Sequence, residues 1–424
     1  MFAGATMRTR SLLLICVVVT TCAGQNVANR QSLAPAPWQD PAPHTVRFVE
    51  VEHNVRLEVL DWGGSGRPLV LLAGLGNTAH VFDEFAPKLT AAGHVYGVTR
   101  RGFGASSSPA GGCSADRLGD DVLAVVHSLE LDRPVLMGHS IAGEELSSVG
   151  TRHPEEVAGL IYLDAAYPYA YYDPSVGDLI IDSLYVRREL DQLPAASTTF
   201  NGDKQRVEKL LKQAQDASTP RQEMPFVQRL LQTDLPLLEK ELRGLVGSSP
   251  IAQELLGTSL PSLERELQKR LKDLETRPER SRAVKAPIPG SVDLKSLSAL
   301  HSWMKRVDGF APPEAELRQH FAAKADGGIG KERDFAKAAE AVQAGLQKYT
   351  NISVPILAIY SVPQRHDTGD SAGQEAQAKA FEAGLPSARV VRIPHADHFV
   401  FLSNEAEVLR EIQAFLHSLP GPAR

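Results

Sequence analysis

Short apolar runs that alternate with helical patterns most constrain how this 424-residue chain folds. The runs lack polar alternation, which is typical of strands covered on both faces. Strands that alternate with helices favour a parallel sheet with right-handed crossovers. The sequence therefore predicts an α/β fold with a mostly parallel central sheet and helices on both faces. The predicted strands are Pro68 to Ala73, His94 to Thr99, Pro134 to Met137, Gly159 to Leu163, Pro355 to Tyr360 and Ala388 to Ile393.

Two segments before this series alternate apolar and polar residues, Thr45 to Val51 and Val55 to Trp62. This period is typical of half-exposed antiparallel strands, with Asn54 in the turn between them. The predicted helices of the α/β part are Ala79 to Ala92, Ala115 to Leu129, Ala142 to Arg152, Gly373 to Gly384 and Asn404 to Leu416.

The alternation stops after Tyr167 and resumes at Val354. The intervening residues, 168–352, are rich in Leu, Glu, Lys and Gln at helical spacing, so we expect a large α-helical cap inserted between strands six and seven of the sheet. The core would then consist of residues 45–167 and 353–424. A separate interaction domain is the alternative, and a homodimer contact through the cap stays open.

The N-terminus has the layout of a secretory signal. Arg8 and Arg10 precede an apolar run, Leu12 to Val19, and small residues follow it. The run is too short to span a bilayer as a helix. We expect a signal peptide over residues 1–24, a proline-rich linker over residues 25–44, and a secreted or periplasmic protein. A lipoprotein anchored at Cys22 is the alternative.

The composition excludes several classes of function. The net charge of −6 is small for this length and no block of like charge occurs, so neither nucleic acid nor an anionic membrane surface is an expected partner. No Cys/His spacing suggests a zinc site. We expect no metal, no cofactor and no transmembrane segment, and a small molecule as the partner.

The strongest local signal is a strand that runs into Gly138-His-Ser-Ile-Ala142 and is followed by a helix. This strand–turn–helix context is what a nucleophile elbow requires, because the tight turn admits only small residues two positions from the serine. Gly138 and Ala142 meet that demand. Ser140 is therefore the expected nucleophile, and the backbone N–H of Ile141 is expected to bind the oxyanion.

With this motif the sequence resembles the α/β-hydrolase superfamily, in its capped branch, over residues 45–167 and 352–418. Three segments carry the resemblance besides the elbow: Leu71-Leu-Ala-Gly-Leu-Gly76, Arg100-Arg-Gly-Phe-Gly-Ala-Ser106 and the region of His398. The first resembles the loop that supplies the second oxyanion donor, which implies the backbone N–H of Leu75. Ala73 stands where the superfamily usually has histidine, but a backbone donor survives this change.

The resemblance implies a base and an acid that follow the serine in the chain. His398 follows the last strand and precedes the last helix, which favours it over His395 as the general base. The acid usually lies after the strand Pro355 to Tyr360, where Asp367 is the first candidate and Asp370 another. Asp164, at the end of the strand after the elbow helix, is the rival, and the sequence leaves this choice open.

These residues predict hydrolysis of a small-molecule carboxylic ester through a Ser-His-Asp triad and an acyl-enzyme. A serine at the elbow argues against the dehalogenase and epoxide-hydrolase branches, which use aspartate there. Cleavage of carbon–carbon, amide or N-terminal peptide bonds stays open. From another class, a binding protein that has kept the hydrolase fold is the alternative.

The signal peptide is directly testable. Mass spectrometry of protein recovered from its native host should find a mature N-terminus near residues 22–25, because small residues follow the apolar run there. An intact N-terminus on protein recovered from the cytoplasm would contradict the expected export.

Overall fold

The structure, a computed structural model, describes residues 40–166, 170–193, 198–217, 220–276, 296–323, 329–362 and 371–421. The predicted signal peptide and nearly all of the linker lie outside these residues. Among the described helices, none has the length and the apolar character that crossing a bilayer requires. The strands are β1 Thr45–Glu52, β2 Val55–Gly63, β3 Pro68–Leu72, β4 His94–Val98, β5 Val135–His139, β6 Gly159–Leu163, β7 Phe321–Ala323, β8 Ile329–Glu332, β9 Ile356–Val362 and β10 Ala388–Pro394.

Eight of these strands form one sheet in the order β1-β2-β4-β3-β5-β6-β9-β10. β1 pairs antiparallel with β2, and β2 pairs antiparallel with β4. From β4 to β10 every pair is parallel, which confirms the predicted sheet. Since parallel strands end at the same edge, the loops after β3, β5, β6, β9 and β10 leave the sheet together.

The helices follow the predicted alternation. They are α1 Ala115–Ser128, α2 Gly143–Arg152, α3 Leu179–Gln192, α4 Thr198–Asp216, α5 Pro220–Arg229, α6 Leu235–Arg243, α7 Pro250–Glu254, α8 Leu260–Thr276, α9 Leu297–Asp308, α10 Glu314–His320, α11 Ala336–Ala344, α12 Ser371–Gly384, α13 Val400–Ser403 and α14 Glu405–Ser418. The expected helix Ala79 to Ala92 is instead two short 3₁₀ helices, Ala79–Phe82 and Ala86–Leu89. Pro87 lies in the first turn of the second, where its missing N–H costs nothing, but inside one continuous α-helix it would break a hydrogen bond.

The central strands β3, β4, β5, β6 and β9 are buried on both faces, as their uninterrupted apolar sequences require. On β3, Val70 and Leu72 belong to one hydrophobic cluster, together with Val125 of α1 and Phe381 of α12. Leu69 and Leu71 belong to the other cluster, which includes the aromatic residues of the 3₁₀ helices and of α14. Alternate residues of one strand thus face opposite helical layers.

The residues predicted to form the cap divide between two compact units. Tyr172–Val292 form one unit, and the segment from Asp293 onward belongs to the α/β unit together with the chain up to Tyr171. The expected boundary near residue 352 therefore differs from the structure. The reason is a set of contacts that helical periodicity does not reveal: the side chain of Gln347 bonds Asp116 of α1, and Gly345 packs against the backbone at Cys113 too closely to admit a Cβ.

The unit Tyr172–Val292 is helical where it is described, with helices α3 to α8. Two of its helices contain a π-turn, Leu230–Asp234 and Leu255–Ser259, each followed directly by a Leu-Pro pair. Proline removes an N–H and crowds the carbonyl four residues earlier, and a π-turn relieves both effects without ending the helix. That this unit covers Ser140 stays a prediction.

Candidate active site

Ser140 lies at the sharp turn between β5 and α2, and its backbone is left-handed, with φ of 55°. An L-residue other than glycine adopts this conformation only when its surroundings impose it. Here the surroundings leave no room for side chains: a Cβ on Gly138 would lie 3.0 Å from Cβ of Ala142, and one on Gly74 would lie 3.2 Å from Cβ of Ser140. The tight strand–turn–helix predicted around Ser140 is therefore present. The close packing around it requires glycine at positions 74 and 138.

His398 lies between Ser140 and Asp164. Its Nε2 is 3.0 Å from Oγ of Ser140, and its Nδ1 is 2.7 Å from Oδ2 of Asp164. Ser140 follows β5, Asp164 follows β6 and His398 follows β10. The carboxyl ends of these strands meet at one edge of the sheet. His395, the alternative base, lies one turn earlier, where its backbone N–H bonds Val362. The structure thus brings together a hydroxyl, an imidazole and a carboxylate within hydrogen-bond distance.

The Asp164 carboxylate is oriented by Ser361 at the end of β9. Oδ1 accepts the backbone N–H of Ser361 at 2.9 Å, and Oδ2 accepts its hydroxyl, also at 2.9 Å. Asp164 itself has a left-handed backbone, with φ of 49°, and only its surroundings hold it there. Asp367 and Asp370, the other candidates for the acid, lie outside the described residues. Among the described residues, Asp164 is the carboxylate that contacts His398.

The loop after β3 lies directly beside Ser140. β3 and β5 are parallel neighbours, with Leu72 opposite Gly138, so Leu75 and Ile141 follow adjacent strand ends. Arg100 fixes this loop from below: its guanidinium donates to the carbonyl oxygen of Ala73 at 2.8 Å and forms a buried ion pair with Glu145 of α2. The loop after β3 and helix α2 are therefore joined through one side chain.

A second carboxylate holds the far end of the same loop, and the sequence did not point to it. Glu316 of α10 is fully buried and accepts hydrogen bonds from the backbone N–H of Thr78, from the Thr78 hydroxyl and from the side-chain amide of Asn77. His320 donates to it from the next turn of the helix. A buried carboxylate that satisfies this many donors fixes their positions.

His139 and Arg101 lie near these residues, and their side chains bind other parts of the protein. His139 is fully buried, and Nε2 donates to the carbonyl oxygen of His398 at 3.0 Å, so it supports the histidine rather than reacting. Burial, followed by the nearby His398, lowers the pKa of His139 well below its usual range, which keeps it neutral. The Arg101 guanidinium donates two hydrogen bonds of 2.6 Å to the carboxylate of Asp121. It therefore belongs to a structural ion pair.

Comparison with known proteins agrees with this architecture. A family model described as the alpha/beta hydrolase fold matches residues 67–405. The chain is 33% identical over 144 residues to AB hydrolase superfamily protein YisY of Bacillus subtilis (strain 168), covering 31% of this chain and 53% of that protein. It is 30% identical over 116 residues to fluoroacetate dehalogenase of a Burkholderia species, covering 26% of this chain and 38% of that protein.

A solved structure with a similar arrangement is that of E-2-(acetamidomethylene)succinate hydrolase, with 16% sequence identity and a TM-score of 0.48 over 88% of this chain and 100% of that chain. The chain spans about half the length, or less, of the curated relatives named above. The family is therefore established over most of the chain, whereas the relatives' activities remain their own.

Glu316→Gln should lower the free energy of unfolding by about 1–3 kcal/mol, because the new amide would point an N–H at a donor that now meets a carboxylate oxygen. Glu314→Gln, on the same helix, is the matched control. Glu314 pairs with Arg318 at the half-exposed surface, and such pairs contribute less than about 1 kcal/mol. Urea unfolding measures both variants. Equal losses would contradict a special role for Glu316.

Proposed function

Because this chain belongs to the α/β-hydrolase family, whose model matches most of it, we propose that it is a serine hydrolase with Ser140 as nucleophile, His398 as general base and Asp164 as the acid. The observation that carries the proposal is the continuous hydrogen-bonded series from Oγ of Ser140 through the His398 ring to the Asp164 carboxylate. Each group has the partner that its role needs.

The proposed reaction is a two-step acyl transfer. As Oγ of Ser140 bonds to the substrate carbonyl carbon, Nε2 of His398 takes the hydroxyl proton and the carbonyl oxygen becomes an oxyanion. Collapse of the intermediate breaks the bond to the leaving group, which takes that proton from His398. Water then attacks the acyl-enzyme with His398 as base, and the acid product leaves as Ser140 regains its proton.

Asp164 is proposed to orient this histidine and to stabilise it when it is charged. Nδ1 of His398 donates to Oδ2 of Asp164, so Nε2 is the nitrogen left to accept the proton from Ser140. Ser361 donates to both oxygens of the carboxylate and so limits its rotation. The histidine thus has the tautomer that proton abstraction needs.

The oxyanion is proposed to bind the backbone N–H groups of Leu75 and Ile141. These groups are fixed before substrate arrives, because Arg100 and Glu145 tie the loop after β3 to the elbow helix. Preorganised donors stabilise developing charge without a cost of reorganisation during the reaction. This arrangement fits any acyl transfer with a tetrahedral intermediate.

A carboxylic ester is the proposed substrate class, since ester cleavage needs no groups beyond these. Carbon–carbon, amide or N-terminal peptide cleavage would need further groups that recognise the substrate. The serine at the elbow argues against halide displacement, although a fluoroacetate dehalogenase is among the relatives. We also propose that the protein is exported to the periplasm or the medium, on the sequence of its first residues.

Ser140→Ala should abolish the turnover of p-nitrophenyl acetate, with a loss on the order of 10⁶-fold, because the acyl-enzyme cannot form. The circular dichroism spectrum should not change, since alanine removes only the hydroxyl. Turnover near the wild-type rate in a folded variant would reject the serine hydrolase and favour the binding protein.

A matched pair of variants tests the base. His398→Asn should lose turnover as fully as Ser140→Ala, because triad members act as a unit. His395→Asn should keep it, since asparagine tolerates the left-handed backbone that His395 has. The opposite outcome would make His395 the base.

Asp164→Asn should lower kcat by about 10⁴-fold, because an amide facing Nδ1 of His398 favours the wrong tautomer. Asp367→Asn is the matched control and should leave kcat within a few-fold of wild type. Steady-state kinetics on one ester measures both variants. A large loss in the Asp367 variant, with none in the Asp164 variant, would assign the acid to the loop after β9.

A further inference from the structure

A second cluster of ionisable side chains lies where the chain enters the fold, apart from the three residues of the proposed triad. Asp40 and His44 precede β1, and His80 and Asp83 lie at the 3₁₀ helix that follows the loop after β3. One donor atom from each of these four residues lies within 4.8 Å of the other three. All but Asp40 have side chains that are almost fully buried. Two imidazoles and two carboxylates are thus held together with little access for water.

The spacing of these atoms matches a tetrahedral metal site. Nδ1 of His80 lies 2.9 Å from Oδ2 of Asp83 and 3.4 Å from Oδ2 of Asp40, and Nε2 of His44 lies 3.8 Å from the same Asp40 oxygen. Ligands about 2.0 Å from a zinc ion at the corners of a tetrahedron are about 3.3 Å apart. These three distances lie on either side of this value, and no two of the four donor atoms are more than 4.8 Å apart, so an inward movement of the side chains would complete the coordination.

The remaining ring nitrogens are oriented as metal ligands need. Nδ1 of His44 is 2.9 Å from Oδ1 of Asp83, and Nε2 of His80 faces Oε1 of Glu58 at 3.6 Å. A histidine ligand commonly donates its other N–H to a carboxylate, which fixes the tautomer. Trp62 also donates to Oδ1 of Asp83, which leaves Oδ2 of that carboxylate to face the ion.

From these contacts we propose that His44, His80, Asp40 and Asp83 bind one structural zinc ion. The ion would tie the first residues of the fold to the turn that follows the oxyanion loop. Sequence reasoning expects no metal here, because the four residues form two separate pairs and no Cys/His spacing joins them. Two histidine nitrogens and two carboxylate oxygens are ligands that zinc accepts, and four protein ligands leave no open position for a substrate, as in a structural site.

Protons are the competing occupants of the cluster. Without a cation, burial lowers the pKa of His80, but its hydrogen bonds to the carboxylates of Asp40, Asp83 and Glu58 outweigh burial and raise the pKa to about 12. A protonated imidazole would then bridge the carboxylates. Zinc must displace such protons, as it does wherever histidine is a ligand. The experiment therefore has to separate a metal site from a proton-bridged network.

The test uses the full-length protein, stripped with EDTA, desalted and reloaded with zinc. Elemental analysis should find one tightly held zinc per chain, and the melting temperature should fall on stripping and recover on reloading. Cobalt(II) should give the intense visible absorption of a tetrahedral site. The His398→Asn variant should bind as much metal as wild type, which excludes the triad as the binding site.

Asp40→Asn changes the half-exposed ligand and is the variant least expected to unfold the protein. It should weaken zinc binding by at least 10-fold, a loss that even outer partners of a metal site can cause. His94→Gln is the matched control, because His94 pairs with Asp61 outside the cluster, and it should bind zinc as wild type does. Reloaded wild-type protein without bound zinc would overturn the proposal in favour of bridging protons. An octahedral cobalt spectrum would overturn it by showing metal held in a site other than these four ligands.

Discussion

The left-handed backbone of Ser140 is the constraint on which the rest of the site depends. A serine held at this turn projects from the edge of the sheet, and close packing around the turn holds it in this conformation. Gly138 and Gly74 are glycine because a Cβ at either would enter the space of the turn. Ser140 and the loop after β3 therefore pack directly against each other, and a larger residue at position 74 would displace one of them.

The loop after β3 is held at both of its ends. Arg100 binds the carbonyl of Ala73 at its start and Glu145 of the elbow helix, and Glu316 binds the backbone and hydroxyl of Thr78 at its finish. Buried charges that lose one partner are strongly destabilising, so each contact penalises displacement of the loop. Backbone donors fixed in this way suit the proposed oxyanion role, since their position is set before substrate binds.

The sequence predicted the sheet and the strand–turn–helix at Ser140, because apolar periodicity and small residues around a serine are local signals. It also pointed to His398, whose ring lies within hydrogen-bond distance of Ser140. The sequence alone did not identify which aspartate contacts His398. In the sequence Asp164 and Asp367 both follow strands that end at the same edge. The contacts of Asp164 with His398 and Ser361 depend on how distant strands meet, which no local pattern shows. Glu316 was missed for the same reason, since a helical pattern shows which residues are apolar but not which distant loop a buried carboxylate bonds.

The central claim is that His398 activates Ser140 as the one reactive serine, and covalent labelling tests it most directly. Protein treated with a fluorophosphonate at neutral pH would be digested and its peptides analysed by mass spectrometry. The account predicts a single adduct on the peptide that contains Ser140, formed much more slowly in the His398→Asn variant. An adduct on a different serine, or no adduct while ester turnover persists, would contradict it.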